Sequence, residues 1–466
     1  MRESHKIYKI LTWGGVGLYT TFMLYISIQT NALVPDERWF WNLTNETVVL
    51  NSIHDALLMP NYLGYGSIYW LIMKLLGDFL LIRMIMCILL VSAAICVILT
   101  LKNVFHVNDK NIFFSIVLYL SCPLSWFTGK IIGPEIMGYG IGVWGCYAAL
   151  YAYINLSSQK WVILLTGGIL LGISTGIKLN YITFAVFIAI FVISNEFASQ
   201  EEILRKVMAI GKYAAFTGIG FLLGFLIANP VFLYDFKTFV SFYEADGYSP
   251  KMIQNVLFRK YIEWDLVNSG GMASTIISFT AFVAIFLLAF RCKKNRPLIK
   301  SGFLSILFLF GLCCKGRFLG WYLLPMIYII SLCSSDINYM PIILAVNLIF
   351  MWPNIKYQVV SKLKQMENVD NIEKIQEIIK TYNDKYSEHT QYYMIETCVD
   401  AFPMCASYNY KKETTSKRII YISDRAKANK DINAIYNQSK EEKNSYLLLK
   451  EEDSISVILY EKTIEK

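Results

Sequence analysis

Two adjacent carboxylates have the residue type and position to do chemistry. Asp36 and Glu37, in Pro35-Asp36-Glu37-Arg38, come about seven residues after an apolar run at 10–29. A charge this close to hydrocarbon is costly unless paired or hydrated, so acids here are functional candidates; the plainer alternative is a solvated pair flanking a helix. Glu135, in Lys130-Ile131-Ile132-Gly133-Pro134-Glu135, occupies a turn too short to hold a domain and directly precedes another apolar run. It is either a further site residue or a carboxylate placed where a helix N-terminus favours it. Lys178 interrupts Gly172-Ile173-Ser174-Thr175-Gly176-Ile177-Lys178-Leu179-Asn180-Tyr181, and Arg317 follows Cys314-Lys315-Gly316, each at a turn between apolar runs. A guanidinium binds phosphate through a planar fork and an ammonium acts as a point charge, so both suit a phosphate or pyrophosphate headgroup held at a membrane surface. Snorkelling toward lipid phosphates is the competing explanation for each.

Membrane-spanning elements have to position these residues. The chain has 466 residues, of which 55% are hydrophobic, 15% aromatic and only 17% charged. A soluble protein has roughly 45–50% apolar and about 25% charged residues, so this is a membrane protein, and it is far too apolar to be disordered. Residues 1–355 carry 25 Lys/Arg and 17 Asp/Glu, whereas 356–466 carry 18 of each. The whole formal charge of +8 therefore belongs to the apolar part, which points to loops anchored at a membrane surface and not to a nucleic-acid partner. Most of the ten cysteines lie in apolar runs, where a thiol behaves as a small hydrophobe, and no metal-ligand spacing links them. Cys398 and Cys405, in the polar tail, form a disulfide only if that tail lies outside the cytosol. With four His in the chain, a His-rich metal site is not expected.

Crossing a bilayer takes about 20 apolar residues. Eleven runs meet or approach that length: 10–29, 79–101, 111–128, 136–154, 161–177, 180–194, 211–228, 272–290, 298–314, 318–334 and 339–352. The first follows Arg2, Lys6 and Lys9 without a small-residue cleavage site, and reads as an uncleaved anchor. The segment 62–76 is amphipathic, interrupted by Gly64 and Gly66, and contains Lys74. If it lies in the interface, Lys102, Lys110, Lys160, Arg205, Lys206, Lys212 and the basic run at 291–296 all fall on the N-terminal side. The positive-inside rule then gives N-terminus in and C-terminus out, with 62–76 a juxtamembrane helix. If it crossed, the strongest basic loop would land outside. The expected architecture is an all-α polytopic membrane domain over 1–352, with outer loops at 30–78 and 229–271. A small extracytoplasmic α/β domain follows over 353–466, with a helix at 355–382 and strands at 391–395, 418–422, 446–449 and 454–460.

The chain resembles the GT-C glycosyltransferases. Asp36-Glu37-Arg38-Trp39-Phe40-Trp41 is similar to the Asp-Glu-x-x-Tyr start of their first outer loop. The stretch from Pro60-Asn61-Tyr62 through Lys74-Leu75-Leu76-Gly77 to Arg83 resembles the juxtamembrane helix and second span of one branch. That branch holds the protein O-mannosyltransferases, the lipid A aminoarabinose transferase and many bacterial polyprenyl-phosphate-sugar enzymes. Gly133-Pro134-Glu135 resembles its Arg-Pro-Asp turn, and Gly172 to Lys178 its Gly-Leu-Ala-x-Leu-Thr-Lys stretch. Asn229-Pro230-Val231-Phe232-Leu233-Tyr234-Asp235 and Trp321-Tyr322-Leu323-Leu324-Pro325 resemble two later motifs, in the family order. The chain lacks the branch's double proline, has Glu for Asp at 135, and places Arg317 four residues before Trp321, which stands where the family has Arg.

This resemblance implies an integral-membrane enzyme that moves a sugar from a polyprenyl-phosphate-linked donor to a hydroxyl of a glycan, glycolipid or protein. Transfer takes place on the outer face of the cytoplasmic membrane, in a setting such as O-antigen or other cell-envelope polysaccharide decoration. Asp36 is the expected general base. Glu37 or Glu135 orients the acceptor or stabilises oxocarbenium-like charge, and either can take a divalent cation if one is used. Lys178 and Arg317 stabilise the leaving phosphate, His54 or Asn61 stands near the family's His or Lys position, and Tyr62 stacks on sugar or belongs to an interfacial aromatic belt. A carrier or flippase of lipid-linked saccharide is the alternative, although transporters usually hold charged sites near the midplane and show repeated halves. A non-catalytic scaffold displaying the tail leaves Asp36, Lys178 and Arg317 without a purpose.

Overall fold

The computed structural model describes residues 2–29, 67–76, 79–121, 133–155, 159–234, 236–237, 296–313, 324–336, 390–394, 418–423, 446–452 and 455–461. The expected spans at 272–290 and 339–352, the helix at 355–382 and the Cys398–Cys405 pair lie outside these residues. The chain divides into two compact units, one of Met1–Ser27 with Val48–Val359 and one of Ile28–Thr47 with Val360–Lys466.

The first unit is helical: α1 (Arg2–Gln29), α2 (Ser67–Leu76), α3 (Phe79–Leu99, extended by a π-helical turn at Thr100–Val104), α4 (Asp109–Ser121), α5 (Pro134–Ile154), α6 (Lys160–Ile177), α7 (Ile182–Ala198), α8 (Ile203–Ala228), α9 (Arg296–Cys313) and α10 (Leu324–Cys333). Among the described residues, the segments Leu80–Val104, Lys160–Ile177, Leu179–Ala198 and Ile203–Ala228 are long and apolar enough to cross a membrane. The helix starts have local causes. Asn108 accepts the Asn111 backbone N–H through Oδ1 at 2.9 Å ahead of α4, and Pro134 opens α5 after an extended Gly133. Part of the segment expected as a juxtamembrane helix is α2. Cys87, Cys96, Cys146 and Cys333 are buried thiols among apolar side chains.

Lipid tails are as apolar as leucine, so helices in a bilayer associate through close packing, which favours small residues at their contacts. Here α6 is wedged between α5 and α8 in this way. Toward α8, Gly168 and Gly172 face Gly220 and Gly224, and a Cβ added at Gly172 would collide with the Phe221 carbonyl and lie 2.7 Å from the Phe225 nitrogen. Toward α5, a Cβ at Gly145 would stand 2.9 Å from the Leu171 nitrogen, and one at Gly167 would stand 2.9 Å from that of Ala149. The far side of α8 exposes Phe216, Ile219, Leu222, Leu223 and Ile227, an apolar face suited to acyl chains.

Polar contacts fix which helix ends lie together. Trp144 Nε1 donates to Ser92 Oγ at 3.1 Å, and Asn103 Nδ2 donates to the Tyr147 hydroxyl at 3.2 Å, so α3 and α5 run in the same direction. One end of the bundle gathers the ends of α3 and α5 with the starts of α6 and α8, and carries Lys102, Lys160, Arg205, Lys206 and Lys212. Glu135 and Lys178 lie at the opposite end.

The described part of the second unit is a four-stranded sheet of β1 (Thr390–Met394), β2 (Arg418–Ser423), β3 (Tyr446–Glu452) and β4 (Ile455–Glu461), in the order β1-β2-β4-β3. β1 pairs parallel to β2, and β4 pairs antiparallel to both β2 and β3, with a bulge between Leu448 and Lys450.

Gly172→Val is expected to force α6 and α8 apart and cost about 1–3 kcal/mol, seen as a lower unfolding temperature of the detergent-solubilised protein. Gly218→Ala on α8, where an added Cβ meets nothing within 4 Å, is expected to be neutral or stabilising.

Candidate active site

Of the residues that the sequence nominates, the structure describes Glu135 and Lys178 and brings them together. Asp36, Glu37, His54, Tyr62 and Arg317 lie outside the described residues.

The pair is assembled from two helix ends. Glu135 sits in the first turn of α5, where unsatisfied N–H groups favour an anion. Lys178 is the residue that stops α6: its backbone turns extended while its N–H still donates to the Ser174 carbonyl at 3.1 Å. The α6 end is the negative pole of that helix and favours a cation. Both side chains are buried, at 6% and 7% exposure, and Lys178 Nζ donates to Glu135 Oε1 in a buried ion pair. The two helix dipoles and the direct charge attraction therefore act in the same sense.

Neighbouring groups set the position of the pair. The Tyr181 hydroxyl donates to the backbone carbonyl of Glu135, and its ring stacks on Phe184 at 6.0 Å between centroids. Gly138 makes room for that ring: a Cβ there would stand 2.6 Å from Tyr181 Cδ2. One turn below the pair, Ser174 Oγ donates to the Gly138 carbonyl at 2.6 Å and ties α6 to α5. The fully buried Asn229, just past α8, donates through Nδ2 to the Gly176 carbonyl at 3.0 Å and so caps the last turn of α6. Asn229 Oδ1 has no hydrogen-bond partner among the described residues. Arg83, in the first turns of α3, is fully buried.

The sequence offers Lys178 as a cation without an evident structural reason; in the structure it has an anionic partner. Tyr181, Ser174, Gly138 and Asn229, which sequence reading did not nominate for the site, are what hold the pair in place. Asn229 carried a signal in its Asn-Pro context, and Arg83 carried one as a charge inside an apolar run. Among the described residues, no group of three His, Cys, Asp or Glu side chains is arranged to hold a metal ion. Glu135 Oε1 is occupied by an ammonium, which does not suit a cation ligand.

Lys178→Met leaves the Glu135 carboxylate buried without its partner and is expected to cost about 3–5 kcal/mol. Adding Glu135→Gln removes the stranded charge and is expected to restore part of that loss, so a double-mutant cycle of unfolding temperatures should show coupling between the two sites.

No protein-family model and no curated protein matches the sequence. Solved structures do match. The chain is similar to ArnT from Cupriavidus metallidurans bound to undecaprenyl phosphate, with a TM-score of 0.58 and 10% identity over 95% of this chain and 97% of that one. It is similar to the apo state of the same protein with a TM-score of 0.57, again at 10% identity and over the same shares. At that identity the likeness is one of fold.

Proposed function

We propose that the protein is a membrane glycosyltransferase that takes its sugar from a polyprenyl-phosphate-linked donor. The observation that carries this reading is the fold likeness, over 95% of the chain, to a protein bound to undecaprenyl phosphate. The motif order in the sequence supports the same branch, with the lipid A aminoarabinose transferase and the protein O-mannosyltransferases as its members. The acceptor is a hydroxyl of a glycan, glycolipid or protein. The site faces the periplasm or exterior, with the N-terminus in and the C-terminus out.

The chemistry divides among the nominated residues. Asp36 takes the proton of the acceptor hydroxyl as its oxygen bonds to the anomeric carbon. The bond from that carbon to the donor phosphate breaks, and its electron pair stays on the phosphate oxygen. Lys178 and Arg317 neutralise the charge that develops there, the kind of electrostatic contribution that is often the largest in such reactions. Glu135, through its ion pair, holds the Lys178 ammonium in one place so that little reorganisation is needed when the phosphate departs. Glu37 orients the acceptor, with His54 and Tyr62 contributing to substrate binding. The carboxyl-terminal region over 353–466 is an extracytoplasmic α/β domain in this reading.

Asp36→Asn is expected to lower sugar transfer from a polyprenyl-phosphate-linked donor by about 10²-fold or more, with unchanged protein levels in the membrane. Activity retained above about a tenth of wild type removes Asp36 as the base. Movement of labelled donor across sealed vesicles with no new glycosidic bond replaces the transferase reading with that of a carrier.

A further inference from the structure

At the end of the bundle opposite Glu135 and Lys178, a cavity of about 280 Å³ opens between the ends of α5 and α7 and the starts of α6 and α8. Lys160, Arg205 and Lys212 line it, together with Glu196, Tyr153 and Trp161. Three cations around one recess make it net positive, so an anion there is favoured. Glu196 supplies one negative charge against the three positive ones, and it is held in place: its Oε1 accepts the Tyr153 hydroxyl at 2.7 Å, and Asn195 Nδ2 donates to that hydroxyl at 2.9 Å. Among the described residues, none of the three cations forms an ion pair. Lys160 Nζ instead lies 6.0 Å from the Tyr153 ring centroid and 5.7 Å from that of Trp161.

The chemistry beside the recess identifies the anion. Trp161 stacks on Phe216 at 4.5 Å, and both rings are exposed, with Val162, Val207 and Met208 exposed on the same two helices. A soluble anion has no use for this apolar surface at the mouth of its site, whereas a phospholipid needs a charged recess and an adjoining apolar face together. Tryptophan at such a junction has the amphipathic character of the membrane interface. We infer that this cavity binds the phosphate headgroup of an anionic phospholipid, with an acyl chain lying along the Trp161–Phe216 face. The site is separate from the transfer chemistry and stands independently of it.

The test is native mass spectrometry of the full-length protein with phosphatidylglycerol, phosphatidylcholine and inorganic phosphate as probes. The wild-type protein is expected to retain phosphatidylglycerol in preference to phosphatidylcholine, and millimolar inorganic phosphate is expected not to displace it. Arg205→Ala/Lys212→Ala is expected to weaken the tightest phosphatidylglycerol site by about 25-fold, roughly fivefold for each cation removed. Both side chains are exposed, so the variant should keep the wild-type unfolding temperature. Arg205→Lys/Lys212→Arg keeps the charge and is expected to keep binding. Equal retention of phosphatidylcholine, displacement by inorganic phosphate, or unchanged binding in the alanine variant would each overturn the assignment. The comparison of probes on the wild-type protein decides the matter even if the alanine variant proves unstable.

Discussion

Backbone-to-backbone approach of α6 to both α5 and α8 is the constraint on which the rest of the described helical unit depends. With no solvent to drive apolar surfaces together, the attraction between these helices is the sum of many short-range contacts, and it falls steeply with separation. Glycine at Gly168 and Gly172, facing Gly220 and Gly224, removes the side chains that would hold α6 and α8 apart. The end of α6 is thereby fixed beside the start of α5, and an ammonium and a carboxylate can meet in a buried place. The same pair on a loosely packed helix would be exposed to exchange with lipid headgroups, and its desolvation would have no compensating geometry.

The two ends of the bundle differ electrostatically. At one end, the described acid and lysine are matched, buried and supported by Tyr181 and by the polarity of two helices. At the other, Lys160, Arg205 and Lys212 line one cavity in which Glu196 is the one acid among the described residues. The first arrangement holds its ammonium in one place beside a carboxylate; the second leaves its cations without an ion-pair partner among the described residues.

Much of this was legible in the sequence, because helix and strand periodicity is a local property. The apolar runs at 161–177 and 180–194 and the strand-like run at 418–422 become α6, α7 and β2 with boundaries shifted by a few residues. The boundaries that moved most have physical causes. α8 begins at Ile203 and not near 211, because Arg205, Lys206 and Lys212 interrupt the apolar run yet are good helix formers. β3 continues through Lys450, Glu451 and Glu452, whose polar side chains hide the strand pattern, because pairing with β4 resumes after the bulge. The pairing of Glu135 with Lys178 was not legible: the residues are 43 positions apart, and only the packing of α5 against α6 decides that they meet. The phenol of Tyr181 was hidden among many aromatic residues. The glycines at every fourth position of α6 and α8 were in plain view and mark the seam that sets the rest.

The seam has a mechanical corollary. A helix pressed on two sides by bare peptide groups has no flexible side chains to cushion axial sliding, since any displacement drives a carbonyl into its neighbour. α6 therefore behaves as a stator. α1 is built differently: added methyls at Gly14, Gly15 and Gly17 would touch nothing within 4 Å. A methyl added along the seam of α6 meets a neighbour's backbone at once, whereas one added at these positions of α1 meets open space.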